Sequence, residues 1–538
     1  MEMYIYLKAK HERQSENFKI SLVKTRSEGL MSKFNTKPTP ISTAVKSHEG
    51  GVVFQATGYQ ELCDRVLTSF FGEDKFYETA KASDNKLKNL IHSVAKHDPL
   101  FVAKLAVLAR EEFKLRSVSQ VLVAELSQIY RGDSRLKAAI ARVVQRPDDM
   151  TEILSYIISS AKTEKLPNGR TRKINKAIPN SIKKGLAEAF IKFDAYQLSK
   201  YGSTKKEVSL KDIIRLVHPT PKSPEQSEIF KKVLEGTLEK AETWERAISA
   251  SGASENKEEA KTEAWESLIM NQKLGYMATL RNINNFLSAK VSREAHKKAC
   301  DFIANEKAVL GSKQMPFRFY SAYKILEDNA RGNDPFIIKS YQAALATAMK
   351  HSVKNMQQIP GRTMVVADTS GSMNSKLSDK STMTHAEIAT LMCAIVNEMS
   401  SDSVVAAFST TFKIVNLNTD NILENVQKVA KTDVGYGTNT HLVFDYLNQG
   451  QVKVDNIIII SDMQVSQSIG KSLDLYKKMV NPDVTLYEWN VNSYGTNMTS
   501  TEPNHVKLAG WHDNMIKFVS EYKTLKNGII DMVNKVEL

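Results

Sequence analysis

The feature that most constrains this chain is an apolar run that ends abruptly in three oxygen-bearing side chains. The run Val365–Ala367 is followed by Asp368-Thr-Ser-Gly-Ser, so that Asp368, Ser370 and Ser372 alternate along a turn. A short apolar run bounded by turn residues is typical of a buried parallel strand, and the carboxyl ends of such strands form the edge where ligands bind. One carboxylate and two hydroxyls suit Mg²⁺ or Mn²⁺ rather than zinc. The pattern therefore predicts an α/β domain with a divalent metal site at its sheet edge.

Two later segments offer further oxygen ligands to the same edge. The sequence Gly-Tyr-Gly-Thr-Asn-Thr over 435–440 is a glycine-hinged loop that presents the hydroxyl of Thr438. Asn456–Ser461 is a second apolar run, and the carboxylate of Asp462 follows it. Asp, Ser and Gly are common in any strand-ending turn, so each segment alone has this simpler explanation. Together they predict one site of five residues on three loops.

The region from about residue 360 to the end resembles a von Willebrand factor A domain. In that family a DxSxS turn, a later Thr and a later Asp form a metal-ion-dependent adhesion site. The resemblance implies that Asp368, Ser370, Ser372 and Thr438 bind Mg²⁺, or another divalent cation such as Mn²⁺, and that Asp462 does so directly or through water. A partner's carboxylate often completes such a site. The resemblance therefore implies binding rather than catalysis, and we expect no enzyme.

Short β-rich runs and amphipathic stretches alternate across this region. Apolar residues at helical spacing predict a helix over Ala386–Ser400 that packs on a sheet. The alternation of strands and helices indicates a mostly parallel sheet covered on both sides. The other predicted elements are strands over Val404–Phe408, Lys413–Leu417 and Val484–Val491 and a crossover helix over Ser472–Met479.

Length, charge and cysteine content limit the class of protein. A chain of 538 residues exceeds the roughly 250 to 300 residues of a single core, so we expect more than one domain. It has no run of 18 apolar residues and only three widely spaced cysteines, Cys63, Cys300 and Cys393, which predicts a cytoplasmic protein with buried thiols. The 74 basic and 60 acidic residues give a net charge of +14, which indicates a polyanionic partner unless the excess of lysine is general.

The rest of the chain divides into an N-terminal tail and a helical half. Residues 1–50 are polar and irregular, which predicts a disordered tail, and Met31 is an alternative start. Residues 51–358 have the pattern of successive amphipathic helices, and the metal domain follows over 359–538. About 300 residues of neighbouring helices predict an α-solenoid of HEAT type, with a compact all-α bundle as the alternative. Helices are predicted over Phe101–Glu111, Val118–Ile129, Lys137–Val144, Met150–Ala161, Ile182–Leu198, Leu210–Leu216, Gln226–Glu235 and Ser340–Val353.

Basic residues are concentrated in one part of the helical half. Eight of them lie from Lys162 to Lys184, where Glu164 is the single acid, and more follow as far as His218. A cluster of basic side chains indicates phosphate binding. The rings of Tyr201 and His218 can in addition stack on or hydrogen-bond to unpaired bases, which favours RNA as the ligand. A solvated helix face is the simpler explanation of a charge run, and His218 is alternatively a core histidine. The candidate RNA-binding residues are Arg170, Arg172, Lys173, Lys176, Lys183, Lys184, Lys200, Tyr201, Lys205, Lys206, Arg215 and His218.

Several segments of the helical half resemble the TROVE module of telomerase, Ro and vault proteins. A TROVE module followed by an A-type domain is the layout of the Ro ribonucleoproteins and their bacterial homologues. The resemblance implies a helical ring sealed by the A domain, with a hole that admits 3′ single-stranded ends of misfolded noncoding RNAs and a basic outer surface that binds Y RNAs. Lys205 and His218 correspond best to the family's RNA-contacting positions. The matching segments are Gly51–Thr57, Asp98–Phe101, Ser209–Pro219, Met277–Ile283 and Pro316–Phe319.

The resemblance also implies a role in RNA quality control or processing and a set of partners. These are Y-like RNA, misfolded RNA, rRNA precursors and the exonuclease polynucleotide phosphorylase. We expect a monomer that has no specificity for DNA and does not bind a membrane. The alternative is a Mg²⁺-dependent scaffold that captures an acidic protein through the A domain. A third class, an ATPase-linked metal-chelatase subunit, lacks a P-loop in this sequence. Arg281 and Asn282 either contact RNA directly or have a structural role, in which they hold the inner wall of the ring or cap a helix.

Overall fold

The computed structural model describes residues 43–68, 75, 77–160, 163–165, 171–173, 177–202, 207–379, 381–417, 420–512, 515–516, 519 and 528–538, with backbone only for 163–165 and 171–173. The predicted tail lies outside the described residues as far as residue 42. The disordered tail was predicted to extend to residue 50. This is wrong for its last part, because β1 (Ala44–Lys46) pairs antiparallel with β2 (Val52–Gln55).

The helical half consists of short helices that pack on helices close to them in sequence. Each helix buries one apolar stripe, and these stripes join into one continuous core. This arrangement confirms the predicted HEAT-like solenoid. Within the described residues no helix combines the length and the apolar character needed to span a bilayer. The helices are α1 (Gly58–Thr68), α2 (Ala80–His97), α3 (Pro99–Glu111), α4 (Ser117–Ile129), α5 (Ser134–Val143), α6 (Pro147–Ser159), α7 (Asn180–Phe190), α8 (Ala195–Tyr201), α9 (Leu210–Val217), α10 (Pro224–Glu235), α11 (Trp244–Ser251), α12 (Lys257–Met270), α13 (Tyr276–Arg281), α14 (Ile283–Ser288), α15 (Arg293–Ala304), α16 (Glu306–Ser312), α17 (Pro316–Asp328) and α18 (Pro335–Ser352).

Polar caps begin several of these helices, and one such cap explains a difference from the prediction. The single helix expected over Ile182–Leu198 is two helices, α7 and α8, separated by residues 191–194. Asp194 begins α8 because its carboxylate accepts the backbone N–H of Gln197 at 2.7 Å, while the Gln197 side chain accepts the N–H of Asp194 at 3.2 Å. This reciprocal capping box favours a new helix start over continuation of α7. A hairpin of β3 (Thr163–Lys165) and β4 (Thr171–Lys173) lies between α6 and α7.

The C-terminal half is an α/β domain around a six-stranded sheet of order β11-β9-β8-β5-β6-β7. Every neighbouring pair is parallel except β6 and β7, as the sequence predicted. The strand expected over Lys413–Leu417 is shorter and begins one residue earlier. The strands are β5 (Ile359–Asp368), β6 (Ser400–Phe408), β7 (Phe412–Ile414), β8 (Asn456–Ser461), β9 (Thr485–Asn490), β10 (Thr496–Asn497) and β11 (His505–Ala509), and the helices are α19 (His385–Met399), α20 (Ile422–Ala430), α21 (His441–Gln449), α22 (Gly470–Met479) and α23 (Ile529–Lys535).

Both ends of the helical array contact the α/β domain, and these contacts close the array into a ring. At the first end, α1 packs on β11 and α23, and β2 pairs antiparallel with β10. At the second end, Lys324 of α17 forms an ion pair with Glu387 of α19 at 3.0 Å, and α18 packs on α20. The polar N-terminal segment has few apolar residues to bury, and the pairing of β2 with β10 gives it backbone hydrogen bonds to the α/β domain.

The first junction contains a buried carboxyl group that predicts a pH-dependent stability. Asp64 of α1 is buried, its Oδ1 accepts the Nε2 of Gln60 at 2.5 Å, and its Oδ2 has no hydrogen-bond partner among the described residues. Burial raises the pKa of Asp64 to about 8, and the charge of Glu61 adds to this effect. The folded state therefore keeps a proton that the unfolded chain loses, and stability falls as the pH rises from about 4 to about 8.

We expect Asp64→Asn to become more stable than the wild type as the pH rises. The amide cannot lose a proton, so the difference should widen by up to about 1.4 kcal/mol per pH unit across this interval. Urea unfolding at pH 5, 6.5 and 8 measures it. The exposed Asp474→Asn on α22 is the control and should follow the wild type. A pH-independent difference between Asp64→Asn and the wild type would contradict the prediction.

Candidate functional site

The five predicted metal ligands meet at the carboxyl edge of the sheet. Strands β5 and β8 are adjacent and parallel, with Ala367 beside Ile460, so the residues that follow them emerge side by side. The loop that carries Thr438 closes the site, because the N–H of Gly371 donates to the carbonyl of Tyr436 at 3.0 Å. A further bond joins Ser466 N–H to the carbonyl of Thr438 at 3.0 Å. The side chains brought together, all of them buried, are those of Asp368, Ser370, Ser372, Thr438 and Asp462.

The hydrogen bonds of the site orient both carboxylates and leave several oxygens unpaired. Asp368 accepts the N–H of Ser370 at 2.9 Å and the hydroxyl of Ser461 at 2.6 Å. Asp462 accepts the N–H of Gln464 through Oδ1 at 3.1 Å. Its Oδ2 and the hydroxyls of Ser370 and Ser372 are buried without a hydrogen-bond partner in the described part of the chain. Unpaired buried oxygens are costly, and a bound cation would satisfy them.

The electrostatics of the two carboxylates also favour a bound cation. Burial raises the pKa of Asp368 to about 6, and it raises the pKa of Asp462 to about 7 with a further contribution from the charge of Asp368. Two buried carboxylates in proximity favour a divalent cation that neutralises both. The described residues contain no cluster of three or more His, Cys, Asp or Glu side chains suited to a metal. A metal at this edge would therefore depend on the hydroxyls, which is the donor set of hard cations.

Sequence reasoning missed two residues of this edge, Ser461 and Thr440. Ser461 ends the apolar run of β8 and holds Asp368, and its place directly before Asp462 was the available signal. The hydroxyl of Thr440 is fully buried and has no hydrogen-bond partner among the described residues, and it follows Thr438 at a spacing of two. Asn439 positions the loop, because its amide donates to the carbonyl of Thr410 at 3.0 Å and accepts the hydroxyl of Ser466 at 2.7 Å.

The predicted RNA-binding residues that the structure describes lie on neighbouring helices. Helix α9 packs against α6 and α7, and α8 packs against α6. Four candidates, Arg170, Lys176, Lys205 and Lys206, lie outside the described residues, as do the side chains of Arg172 and Lys173 on β4. The remaining candidates are Lys183 and Lys184 on α7, Lys200 and Tyr201 at the end of α8, and Arg215 and His218 on and after α9.

The exposed cations of these helices are available for a ligand. Lys184 and Arg215 are exposed and Lys183 is half-buried, and none of the three forms an ion pair within the described residues. His218 ends α9 with a left-handed backbone (φ +47°) and an N–H that donates to Ile214 at 2.9 Å. Its side chain is exposed, which excludes the alternative that it is a core histidine.

The aromatic side chains beside these cations differ from the prediction in one respect. The Arg146 guanidinium lies over the ring of Tyr201 at 4.4 Å, so one face of that ring is already covered. Tyr196 of α8 is half exposed and lies 5.9 Å from the Nζ of Lys200. Sequence analysis did not single it out, although it precedes Lys200 by one helical turn. Lys200 itself is 3.5 Å from Glu245, an ion pair that reduces its availability.

Asn282 has a structural role, as one of its two alternatives predicted. It is buried at the junction of α13 and α14, where its amide donates to the carbonyl of Ala278 at 2.8 Å and accepts the amide of Asn285 at 2.7 Å. It therefore connects two helices. Arg281, by contrast, is exposed at the end of α13.

A cavity of about 970 Å³ lies where both ends of the helical array meet the α/β domain. Lys114 comes from the first end, Arg318 from the second, and Met383 and His512 from the α/β domain. Burial lowers the pKa of His512 to about 4, and the charges of Arg318 and Lys114 add to this effect. The cavity is thus a positively charged space bounded by the two ends of the helical array and by the α/β domain.

Comparison with known proteins agrees with this architecture. The chain matches the TROVE domain over residues 73–237 and 235–334 and the Ro60 vWA domain over residues 362–523. Its fold is similar to that of the crystal structure of the Deinococcus radiodurans Ro (Rsr) protein, with a TM-score of 0.59 at 15% identity over 87% of this chain and 99% of that one.

Two curated relatives are much longer proteins, and this chain spans only a small part of each. Telomerase protein component 1 of Rattus norvegicus is 23% identical over 343 residues, and that of Mus musculus is 22% identical over 312 residues. These matches cover 49% and 44% of this chain but only 12% and 11% of the two relatives. With both halves matched in order, the chain belongs to the Ro family of TROVE-domain proteins.

Proposed function

We propose that this protein is an RNA-binding ring that takes part in RNA quality control or processing. The observation that carries the proposal is that Lys183, Lys184 and Arg215, on the adjacent helices α7 and α9, form no ion pair with any residue that the structure describes. Lysine and arginine side chains that are exposed and free of acidic partners bind phosphates, and they do so with little dependence on sequence. Tyr196 on α8 and His218 at the end of α9 are both exposed, and their rings suit contact with unpaired bases.

The cations and the cavity suggest two kinds of RNA contact. The outer surface of α7–α9 suits structured RNA such as Y-like RNA, because a helical stem offers regularly spaced phosphates. The cavity suits the 3′ end of a single strand, because Lys114 and Arg318 supply positive charge and His512 and Trp511 supply rings in an enclosed space of about 970 Å³. Misfolded noncoding RNAs and rRNA precursors carry both features. A processing nuclease such as polynucleotide phosphorylase would then act on the RNA held by the ring.

We propose that Mg²⁺, or a similar divalent cation, binds at the carboxyl edge of the sheet. Asp368, Ser370, Ser372 and Thr438 would hold it, with Asp462 acting directly or through water. When bound, the cation supplies a Lewis-acidic centre that attracts a carboxylate. The second candidate function follows from this site, because unpaired buried oxygens at an edge of the domain favour Mg²⁺-dependent capture of an acidic protein. The two functions are compatible, since they use different parts of the molecule.

Charge reversal on α7 and α9 tests the RNA proposal. We expect Lys183→Glu/Lys184→Glu/Arg215→Glu to weaken binding of a Y-like RNA by on the order of 100-fold at 0.1 M salt, because each lost phosphate contact no longer releases counterions. Filter binding with a labelled RNA measures the affinity, and circular dichroism verifies the fold.

A matched control separates local contacts from net charge. The exposed lysines of the α/β domain allow Lys453→Glu/Lys471→Glu/Lys478→Glu, which has the same change in total charge. We expect this control to retain affinity within a few-fold of the wild type. Equal losses in the two triple variants would mean that overall charge, and not the surface of α7 and α9, determines binding, and the proposal would be wrong.

A further inference from the structure

The turn between β1 and β2 lies directly on the loop that follows Asp462. The hydroxyl of Ser47 donates to the carbonyl of Val465 at 2.6 Å, and the N–H of Gly51 donates to the same carbonyl at 3.0 Å. The N–H of His48 donates to the Oε1 of Gln464 at 3.0 Å. Gln464 in turn donates its own N–H to Asp462 at 3.1 Å. The N-terminal turn is thus joined to a predicted metal ligand through one residue.

The seating of this turn is tight and specific. A Cβ atom on Gly51 would lie 2.3 Å from the carbonyl oxygen of Val465, so no larger residue fits without displacing the turn. The N–H of Ser47 donates to the carbonyl of Gly51 at 2.9 Å and closes the turn. On its far side β2 pairs with β10 of the α/β domain. The tip that these contacts fix is Glu49.

The Glu49 carboxylate is held beside the metal site. Its Oε1 accepts the hydroxyl of Tyr77 at 2.5 Å. The ring of Tyr77 stacks on His48 with centroids 4.4 Å apart, and it meets Tyr494 edge-on at 5.2 Å. In the part of the chain that the structure describes, this is the one hydrogen bond of the Glu49 side chain, which leaves Oε2 available.

The contacts of the turn place Glu49 near the metal site. Its neighbour His48 donates to Gln464, two residues beyond Asp462, and Ser47 and Gly51 both bind Val465. The pKa of Tyr77, the hydrogen-bond partner of Glu49, is raised first by burial, then by Glu49 and then by the charge of Asp462. A further negative charge beside buried, unpaired hydroxyls favours a cation there.

We propose that Glu49 is an internal carboxylate ligand of the cation at this edge, so that the turn between β1 and β2 occupies the place that a partner's carboxylate would take. The inference deepens the proposed metal site and depends on it. The N-terminal turn then acts as a cap, and an acidic protein segment gains access to the cation by displacing Glu49. Because the hydrogen bonds of the turn to Val465 and Gln464 involve a loop and not a strand, displacement does not require the sheet to open.

Titration of the full chain with Mn²⁺, followed by electron paramagnetic resonance of the free ion, tests this proposal. We expect Glu49→Gln, which keeps an acceptor for Tyr77, to raise the Kd for Mn²⁺ roughly tenfold, since removal of one anionic ligand weakens a hard-cation site. Gly51→Ala should produce a similar loss without removing any acid, because its Cβ displaces the turn. Glu424→Gln, an exposed acid on α20, is the control and should leave the Kd unchanged.

Hydrogen exchange of residues 44–55 provides a second measurement. In the wild type we expect Mn²⁺ to slow exchange in the turn, because the cation then anchors Glu49, and in Glu49→Gln we expect no such slowing. Equal Mn²⁺ affinity in Glu49→Gln and the wild type would overturn the cap while leaving the metal site intact. A wild type that binds no Mn²⁺ would overturn both, so the two failures are distinguishable.

Discussion

Replacing Asp149 with alanine is expected to lower the free energy of unfolding by about 3 to 5 kcal/mol, because it leaves the buried guanidinium of Arg110 without its acidic partner. Asp149 lies in the first turn of α6 and is completely buried. Its Oδ2 accepts Arg110 at 3.0 Å, and its Oδ1 accepts the Nε of Arg116 at 2.5 Å and the amide of Gln120 at 2.8 Å. The N–H of Arg146 adds a bond of 2.9 Å. One carboxylate therefore joins three helices.

The same residue supports the surface that we propose for RNA. It caps the start of α6, where Arg146 reaches across to the ring of Tyr201. Burial alone would raise the pKa of Asp149, but the bonds to Arg116 and the charge of Arg110 outweigh it and lower the pKa below its ordinary 3.8. Its contribution to stability is thus present at neutral pH and is lost as the pH falls below about 4.

Urea unfolding followed by circular dichroism at pH 7 measures this effect. The exposed Asp474→Ala serves as the control and should change the free energy of unfolding by less than about 0.5 kcal/mol. If Asp149→Ala cost no more than about 1 kcal/mol, the arginines would have found other partners, and the residue would not be the centre of this junction.

Asp368→Ala is expected to abolish Mg²⁺ binding while leaving RNA affinity within about twofold of the wild type. Without this carboxylate the site loses the acid of the Asp368–Ser372 turn, and three hydroxyls with Asp462 and the proposed Glu49 no longer surround the cation with enough fixed oxygen ligands. RNA affinity should persist, because the cations of α7 and α9 lie on the helical half and Asp368 lies on the sheet edge. Isothermal titration with Mg²⁺ and filter binding with RNA measure the two affinities in the same preparation.

The matched control for this variant is Asp402→Ala, at the opposite end of the sheet. Asp402 is exposed near the start of β6 and lies 3.4 Å from Arg362 in a surface pair. The Asp402→Ala variant should bind Mg²⁺ as the wild type does, because Asp402 is not at the metal edge and the loss of an exposed ion pair changes stability little. A parallel loss of Mg²⁺ and RNA binding in Asp368→Ala would mean that the cation supports the ring itself, and the assignment of separate sites would be wrong.

The α/β domain, and the position of the five candidate ligands at its sheet edge, could be predicted from the sequence for a definite physical reason. Buried parallel strands are continuous apolar runs, so β5 and β8 were visible as Val365–Ala367 and as Asn456–Ser461. Parallel strands place their carboxyl ends at one edge of the sheet, and ligands bind at that edge. Asp368 and Asp462 were therefore expected at the same edge. Most helices of the solenoid were also predicted within a few residues, because each shows one apolar stripe.

Features that depend on contacts between distant residues were not predictable in this way. The turn that carries Glu49 lies in a polar segment taken for a tail, and its partners Gln464 and Val465 follow more than 400 residues later. Likewise, nothing local in the sequence pairs Arg146 with Tyr201. Helix α8 was missed as a separate element because the capping box of Asp194 interrupts an apolar stripe that otherwise continues.

The salt dependence of RNA affinity tests the central claim most directly. Fluorescence anisotropy of a labelled RNA hairpin with a single-stranded 3′ tail gives the association constant of the wild-type protein between 50 and 300 mM KCl. We predict that its logarithm falls linearly with the logarithm of the salt concentration, with a slope of about −3 or steeper, because phosphates held by lysine and arginine release counterions. An affinity that does not change with salt would contradict the claim that the cations of this ring bind RNA.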